Sequence, residues 1–155
     1  MKKIFTLFAL FAFVGTSVRA QSVDDYIEIA RDVLKTEKKA AVAEAMQLTE
    51  AESTVFWPLY NEYNAKVNVV QDKRVAIIKE YAKNFENLTD LKADDLWTRA
   101  MQVKQELLKL EKSYYKKFKK ILPAGKAARY FQTENKIETL IDAQLALEIP
   151  LIETK

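Results

Sequence analysis

The chain has 155 residues, with 25 Lys or Arg against 22 Asp or Glu, two glycines, three prolines and no histidine or cysteine. Those two absences exclude most metal sites, nearly all common nucleophile–base pairs and any disulfide, so packing alone must hold the fold together. So few helix breakers beside abundant Ala, Leu, Lys and Glu point to an all-α protein of long helices.

Residues 1–20 read as a removable export signal. Lys2 and Lys3 give a positive start, Ile4–Val14 an apolar stretch, and Val18 and Ala20 small residues before cleavage at Gln21. Eleven apolar residues closed by Arg19 fall short of the roughly 20 needed to span a bilayer. No cysteine is present to carry a lipid anchor. The expectation is a periplasmic protein without stable membrane insertion, with residues 21–155 forming one helical domain. Losing Lys2, Lys3 and Arg19 leaves 22 basic residues against 22 acidic ones. The precursor's positive charge is therefore no argument for nucleic-acid binding, which needs a clustered basic surface.

Four helices are expected. The first covers about Val23 to Met46, with Asp24 and Asp25 near its start and a thin apolar stripe of Tyr26, Ala30, Val33, Leu34, Ala41 and Ala45. The second opens at Leu48-Thr49-Glu50-Ala51-Glu52, where Thr49 and Glu52 match the S/T-x-x-E capping box. Phe56, Tyr60, Tyr63, Val67, Val70, Ile77, Tyr81 and Phe85 then recur at spacings of three and four, interrupted by Arg74. Pro58 inside this helix removes one ladder hydrogen bond, so a kink is expected near Thr54–Pro58. The third starts with Thr89 or Asp90 as cap and carries Leu96, Ala100, Val103, Leu107, Leu110, Tyr114, Phe118 and Ile121. A short connection near Asn87 makes the second and third helices antiparallel, and their length predicts an elongated or bent molecule. The fourth follows Pro123, presents Ala127, Phe131, Ile137, Leu140, Ile141 and Leu145, and stops before Pro150.

The helix openings Leu48-Thr49, Leu88-Thr89 and Leu122-Pro123 are alike, and Leu48-Thr49-Glu50-Ala51-Glu52 resembles the Leu-Thr-x-x-Gln motif of the Spy/CpxP family of periplasmic proteins. Glu52 stands where that family has Gln, and Leu88-Thr89-Asp90 and Ala128-Arg129-Tyr130-Phe131-Gln132 are looser matches. The signal segment, the size and the four-helix order are also similar. The resemblance implies a cradle-shaped antiparallel homodimer built on a bent helical hairpin. It further implies an ATP-independent chaperone or an envelope-stress adaptor that binds partly unfolded proteins or a sensor partner. The family's metal-responsive branch uses histidines and other soft ligands. Here only Met46 and Met101 remain as sulfur donors after export, so neither that function nor any cofactor is carried over.

The aromatic residues suggest a binding surface: Trp57, Tyr60, Tyr63, Trp97, Tyr114, Tyr115, Tyr130 and Phe131 are many for a thin helical protein. The competing reading puts them in the seam between helices, and Tyr60, Tyr63 and Tyr114 are in phase with it, while Trp57 and Tyr115 flank it. The candidate client or partner surface is therefore Trp57, Arg74, Trp97, Tyr115 and Arg129. Arg74 and Arg129 are read first as ion-pair partners and only second as contacts for an acidic client, and the lysines of Lys109–Lys120 are read first as favouring the helix dipole, with anionic lipid or acidic polypeptide as the alternative. Glu50/Glu52 and Asp94-Asp95 are the close carboxylate pairs, but both sit at helix starts, where acids are expected anyway, so no enzyme is expected. The alternative to a chaperone is a regulatory or structural helical protein with one specific partner.

Overall fold

The structure is a computed structural model that describes residues 34–152. The signal segment 1–20, its cleavage point and the expected start of the first helix at Val23 lie outside the described residues. All regular structure among the described residues is helical: α1 over 34–46, α2 (Glu50–Asn84), a 3₁₀ turn (Phe85–Asn87), α3 (Asp90–Ile121) and α4 (Ala124–Glu148). The chain divides between Ala45 and Met46 into two compact units, and the second contains α2, α3 and α4.

In α1 the buried positions are Val42 and Met46, one residue beyond the expected Ala41 and Ala45. The helix ends without a glycine: Gln47 takes φ 45°, the left-handed conformation that terminates a helix, at a cost of order 1 kcal/mol for a residue with a Cβ.

The start of α2 is the capping box. Thr49 Oγ1 accepts from the Glu52 amide at 3.3 Å, and the Glu52 carboxylate accepts from the Thr49 amide at 2.9 Å. Two of the four otherwise orphaned donors are thereby satisfied. The helix continues unbroken through Pro58. Proline has no N–H to offer the Thr54 carbonyl, but both residues are exposed, so water can take that acceptor. Thr89 is the cap of α3, its hydroxyl accepting from the Lys92 amide at 3.3 Å. Pro123 leads into α4, where its fixed φ suits the helix entrance.

Side-chain partners fix the packing. Between α2 and α3, Glu62 meets Lys117, Lys73 meets Glu106, and Glu80 meets Arg99. Residue numbers rise along one helix as they fall along the other. Between α2 and α4 they rise together: Glu52 with Lys126, Gln71 with Glu138, Arg74 with Asp142, and the Tyr81 hydroxyl with the Pro150 carbonyl.

The core is uneven along these helices. Phe56, Tyr60, Tyr63 and Val70 are buried in α2, and nothing beyond Val70 is. Leu96, Val103, Tyr114 and Phe118 are buried in α3, and Ala127, Tyr130, Phe131 and Glu134 in α4. Apolar burial thus concentrates where the N-terminal half of α2 meets the C-terminal end of α3 and the start of α4. At the opposite end Leu96 is buried, and Glu80 is held by Lys92 and Arg99.

Candidate binding surface

The tightly packed end is an aromatic cluster. Phe118 and Tyr130 have ring centroids 4.6 Å apart, Phe56 lies 5.2 Å from Tyr130 edge to face, and Tyr63 lies 5.0 Å from Tyr114 and 5.6 Å from Phe131. Tilted and edge-to-face rings at such separations gain on the order of 0.5–1.5 kcal/mol per pair beyond area burial. One carboxylate belongs to this cluster. Glu134 is 8% exposed, one helical turn beyond Tyr130. Burial, and next the charge of Glu134, push the phenols of Tyr60, Tyr63 and Tyr130 well above their ordinary value of 10. All three hydroxyls are therefore neutral at any physiological pH.

Charged side chains line the junction of α2 and α3. Glu62 accepts from the Tyr114 hydroxyl at 2.6 Å and from Lys117 at 2.9 Å, which hold its carboxyl below the usual range. Lys117 also stands over the Tyr114 ring, 4.2 Å from its centroid. Lys92 and Arg99 converge on Glu80 and lower its pKa in the same way, while Asp95 lies 3.2 Å from Arg99. Glu52 is lowered first by Lys126 and then by the Thr49 amide. Glu52 and Asp95 thus belong to caps and ion pairs, a structural use of the two close acidic pairs. Among the described residues no group of three His, Cys, Asp or Glu is placed to hold a metal.

The five residues of the candidate surface do not converge on one place. Trp57 is half-buried, edge-on to Phe56 at 5.0 Å and to Tyr60 at 5.2 Å, at the margin of the aromatic cluster. Tyr115 is half-buried on the other margin, 5.6 Å from Phe131. Arg74 is occupied by Asp142 at 2.7 Å, the ion-pair reading of its place in the seam. Arg129 is exposed on α4. Trp97 is 63% exposed on α3 and is the one exposed side chain among the eight aromatic residues singled out in the sequence. In the family-like motif Leu48 is half-buried, and Thr49 and Glu52 do the capping described above.

Sequence reasoning placed one apolar residue on the wrong side. Leu140 was expected on the inward stripe of α4 and is 55% exposed. The inward side also takes in Glu134 and Glu138, opposite the tyrosines and Gln71 of α2, beside the half-buried Ile137, Ile141 and Leu145. Leu140 shares its outward face with Leu147, 81% exposed, and the chain leaves α4 through Leu151 at 88%. On the outward side of α3, Leu91, Trp97, Met101 and Leu108 are exposed as well. With Val55 and Val69 on α2 these residues make up much of the apolar surface that the unit offers to solvent, and among them the sequence marked only Trp97 as a surface candidate, through its aromatic excess. Comparison with protein-family models, with curated proteins and with solved structures finds no match to this chain.

Proposed function

We propose that this is a non-enzymatic binding protein of the cell envelope, exported through its N-terminal signal, that holds partly unfolded proteins without ATP. The single observation that carries the reading is the set of large apolar side chains left in water on α3, on α4 and just after it: Leu91 at 86% exposure, Trp97 at 63%, Leu147 at 81% and Leu151 at 88%. Water-exposed apolar side chains in such numbers give an unfolded segment something to bury against, at roughly 25 cal/mol per Å² covered. The Spy/CpxP resemblance at Leu48–Glu52 supports the same class of activity and adds a homodimer on a bent hairpin to the proposal. The test is light scattering from a denatured client mixed with the purified protein. Suppression at a few-fold excess is expected, weakened by joint Trp97→Ser and Leu147→Ser substitution; no suppression refutes the chaperone reading.

A second reading, an adaptor with one specific partner, is favoured by a different observation. Tyr60, Tyr63, Tyr114, Tyr130 and Phe131, which would make a broad sticky surface, are buried. Capture from an envelope extract separates the two, since a chaperone recovers many proteins and an adaptor one.

A further inference from the structure

The outward side of α3 has a composition unlike the rest of the unit. Between residues 97 and 120 its exposed positions are six lysines, three large apolar residues and four neutral polar ones, with no carboxylate among them. The lysines are Lys104, Lys109, Lys112, Lys116, Lys119 and Lys120. The two acids of this stretch, Glu106 and Glu111, are half-buried, and Glu106 is already held by Lys73 at 2.7 Å. In a chain whose basic and acidic residues balance after export, this is a local segregation of charge. It extends about 35 Å along an uninterrupted helix.

Charge and apolar groups share one line. Trp97, Met101, Lys104, Leu108, Lys112, Tyr115 and Lys119 recur at spacings of four, three, four, four, three and four, which keeps them in register on a helix. Lys119 lies over the Tyr115 ring, 5.0 Å from its centroid. Lysine heads beside an exposed tryptophan and aliphatic side chains make a pattern suited to the headgroup boundary of a lipid layer.

We infer that this face of α3 docks reversibly on an anionic lipid surface. Three features favour lipid over other anionic partners. Every exposed cation on the face is lysine, a flexible point charge suited to a diffuse anionic layer, whereas fixed carboxylates or phosphates are better matched by the rigid fork of arginine. Met101 and Leu108 add contact with acyl chains but nothing to the recognition of a nucleic-acid backbone. No helix among the described residues is long and apolar enough to cross a membrane, so the contact lies along the surface. The inference does not rest on client binding.

Co-sedimentation of the purified chain with vesicles tests it, using phosphatidylglycerol–phosphatidylcholine mixtures against phosphatidylcholine alone. The neutral vesicles subtract any contribution of the apolar segment Ile4–Val14. Binding to the anionic vesicles only is expected, reversed by raising salt, with a blue shift of Trp97 fluorescence read in a Trp57→Phe background. Replacing Lys109, Lys112 and Lys116 together by Gln should weaken binding about a hundredfold, at about fivefold per lysine. These side chains are exposed, so circular dichroism of the variant should be unchanged. Equal binding to both vesicle types, or undiminished binding by the triple variant, overturns the inference. So does tighter binding to polyglutamate or single-stranded DNA than to vesicles, or a dimer that hides Trp97 and ignores lipid.

Discussion

Raising the pH through 10 should unfold this protein cooperatively, and the slope is set by the tyrosines of the aromatic cluster. Tyr60, Tyr63 and Tyr130 are 4%, 6% and 0% exposed, and their folded-state pKa values lie well above the ordinary value of 10. A phenol with a raised folded-state pKa costs nothing while both states are protonated. Above pH 10 the unfolded chain releases its proton and the folded chain does not, so stability falls as pH rises. Each such group removes about 1.36 kcal/mol per pH unit in that window, and the three together about 4 kcal/mol. By pH 12 the loss is about 8 kcal/mol, comparable with the 5–15 kcal/mol typical of a whole domain. Lys117, raised by Glu62, adds a loss of the same sign. Tyrosinate absorbance at 295 nm, followed together with helical circular dichroism at 222 nm, isolates the phenols. Tyr60, Tyr63 and Tyr130 should ionise only as helicity is lost. Tyr130→Phe should reduce the slope by about a third. Ionisation of Tyr60, Tyr63 and Tyr130 with helicity intact, read as the 295 nm amplitude that their Phe variants remove, would falsify the packing argument.

Three further outcomes follow from the same contacts. Phe118→Ala removes a fully buried ring that touches Phe56, Tyr130 and Phe131, and should cost about 3–5 kcal/mol in urea unfolding. Trp97→Ala on the outward face should change stability by no more than about 0.5 kcal/mol, and a large loss there would mean the side chain is covered. Acid should act in the opposite direction from alkali. Glu52, Glu62 and Glu80 are held below their ordinary value of 4.5 by Lys126, Tyr114 and Lys92 respectively, so their contribution is present above that pH and is lost on acidification through their lowered values. The melting temperature should therefore fall below pH 4.5, less steeply in a Glu80→Gln variant, which has lower stability at neutral pH to begin with.

Helix starts and the main seam were legible because local chemistry decides them. Thr49 with Glu52 and Thr89 with the Lys92 amide satisfy donors that any helix beginning there must satisfy. Phe56, Tyr60, Tyr63 and Val70 face inward as their spacing requires, and so do Leu96, Val103, Tyr114 and Phe118. The reading failed where a helix meets a polar neighbour. In α4 a search for apolar periodicity selects Leu140 and passes over Glu134, although Glu134 continues the turn-by-turn track from Ala127 through Tyr130 and Phe131. A carboxylate is accepted there because it arrives opposite the tyrosines of α2, a pairing that no single helix's sequence contains. The end of α1 at Met46 falls where it was expected, although Gln47 takes the left-handed conformation that a glycine would have advertised.

The same distinction explains why the candidate surface was harder to read than the core. Aromatic residues reduce water contact equally well inside a seam or under a ligand, so composition could not divide them. The division follows from helix phase relative to two neighbours at once. Tyr114 and Tyr115 are adjacent in sequence and about 100° apart around α3, which buries the first against Tyr63 and leaves the second half-covered at the edge of α4. Trp97 lies five turns earlier on the same line as Tyr115. The second half of α4 is held to α2 by contacts that include Gln71–Glu138 and Arg74–Asp142, with Tyr81–Pro150 just beyond its end. An equally aromatic position is therefore left in water at Trp97, and any binding role for the aromatics of α3 has to begin there.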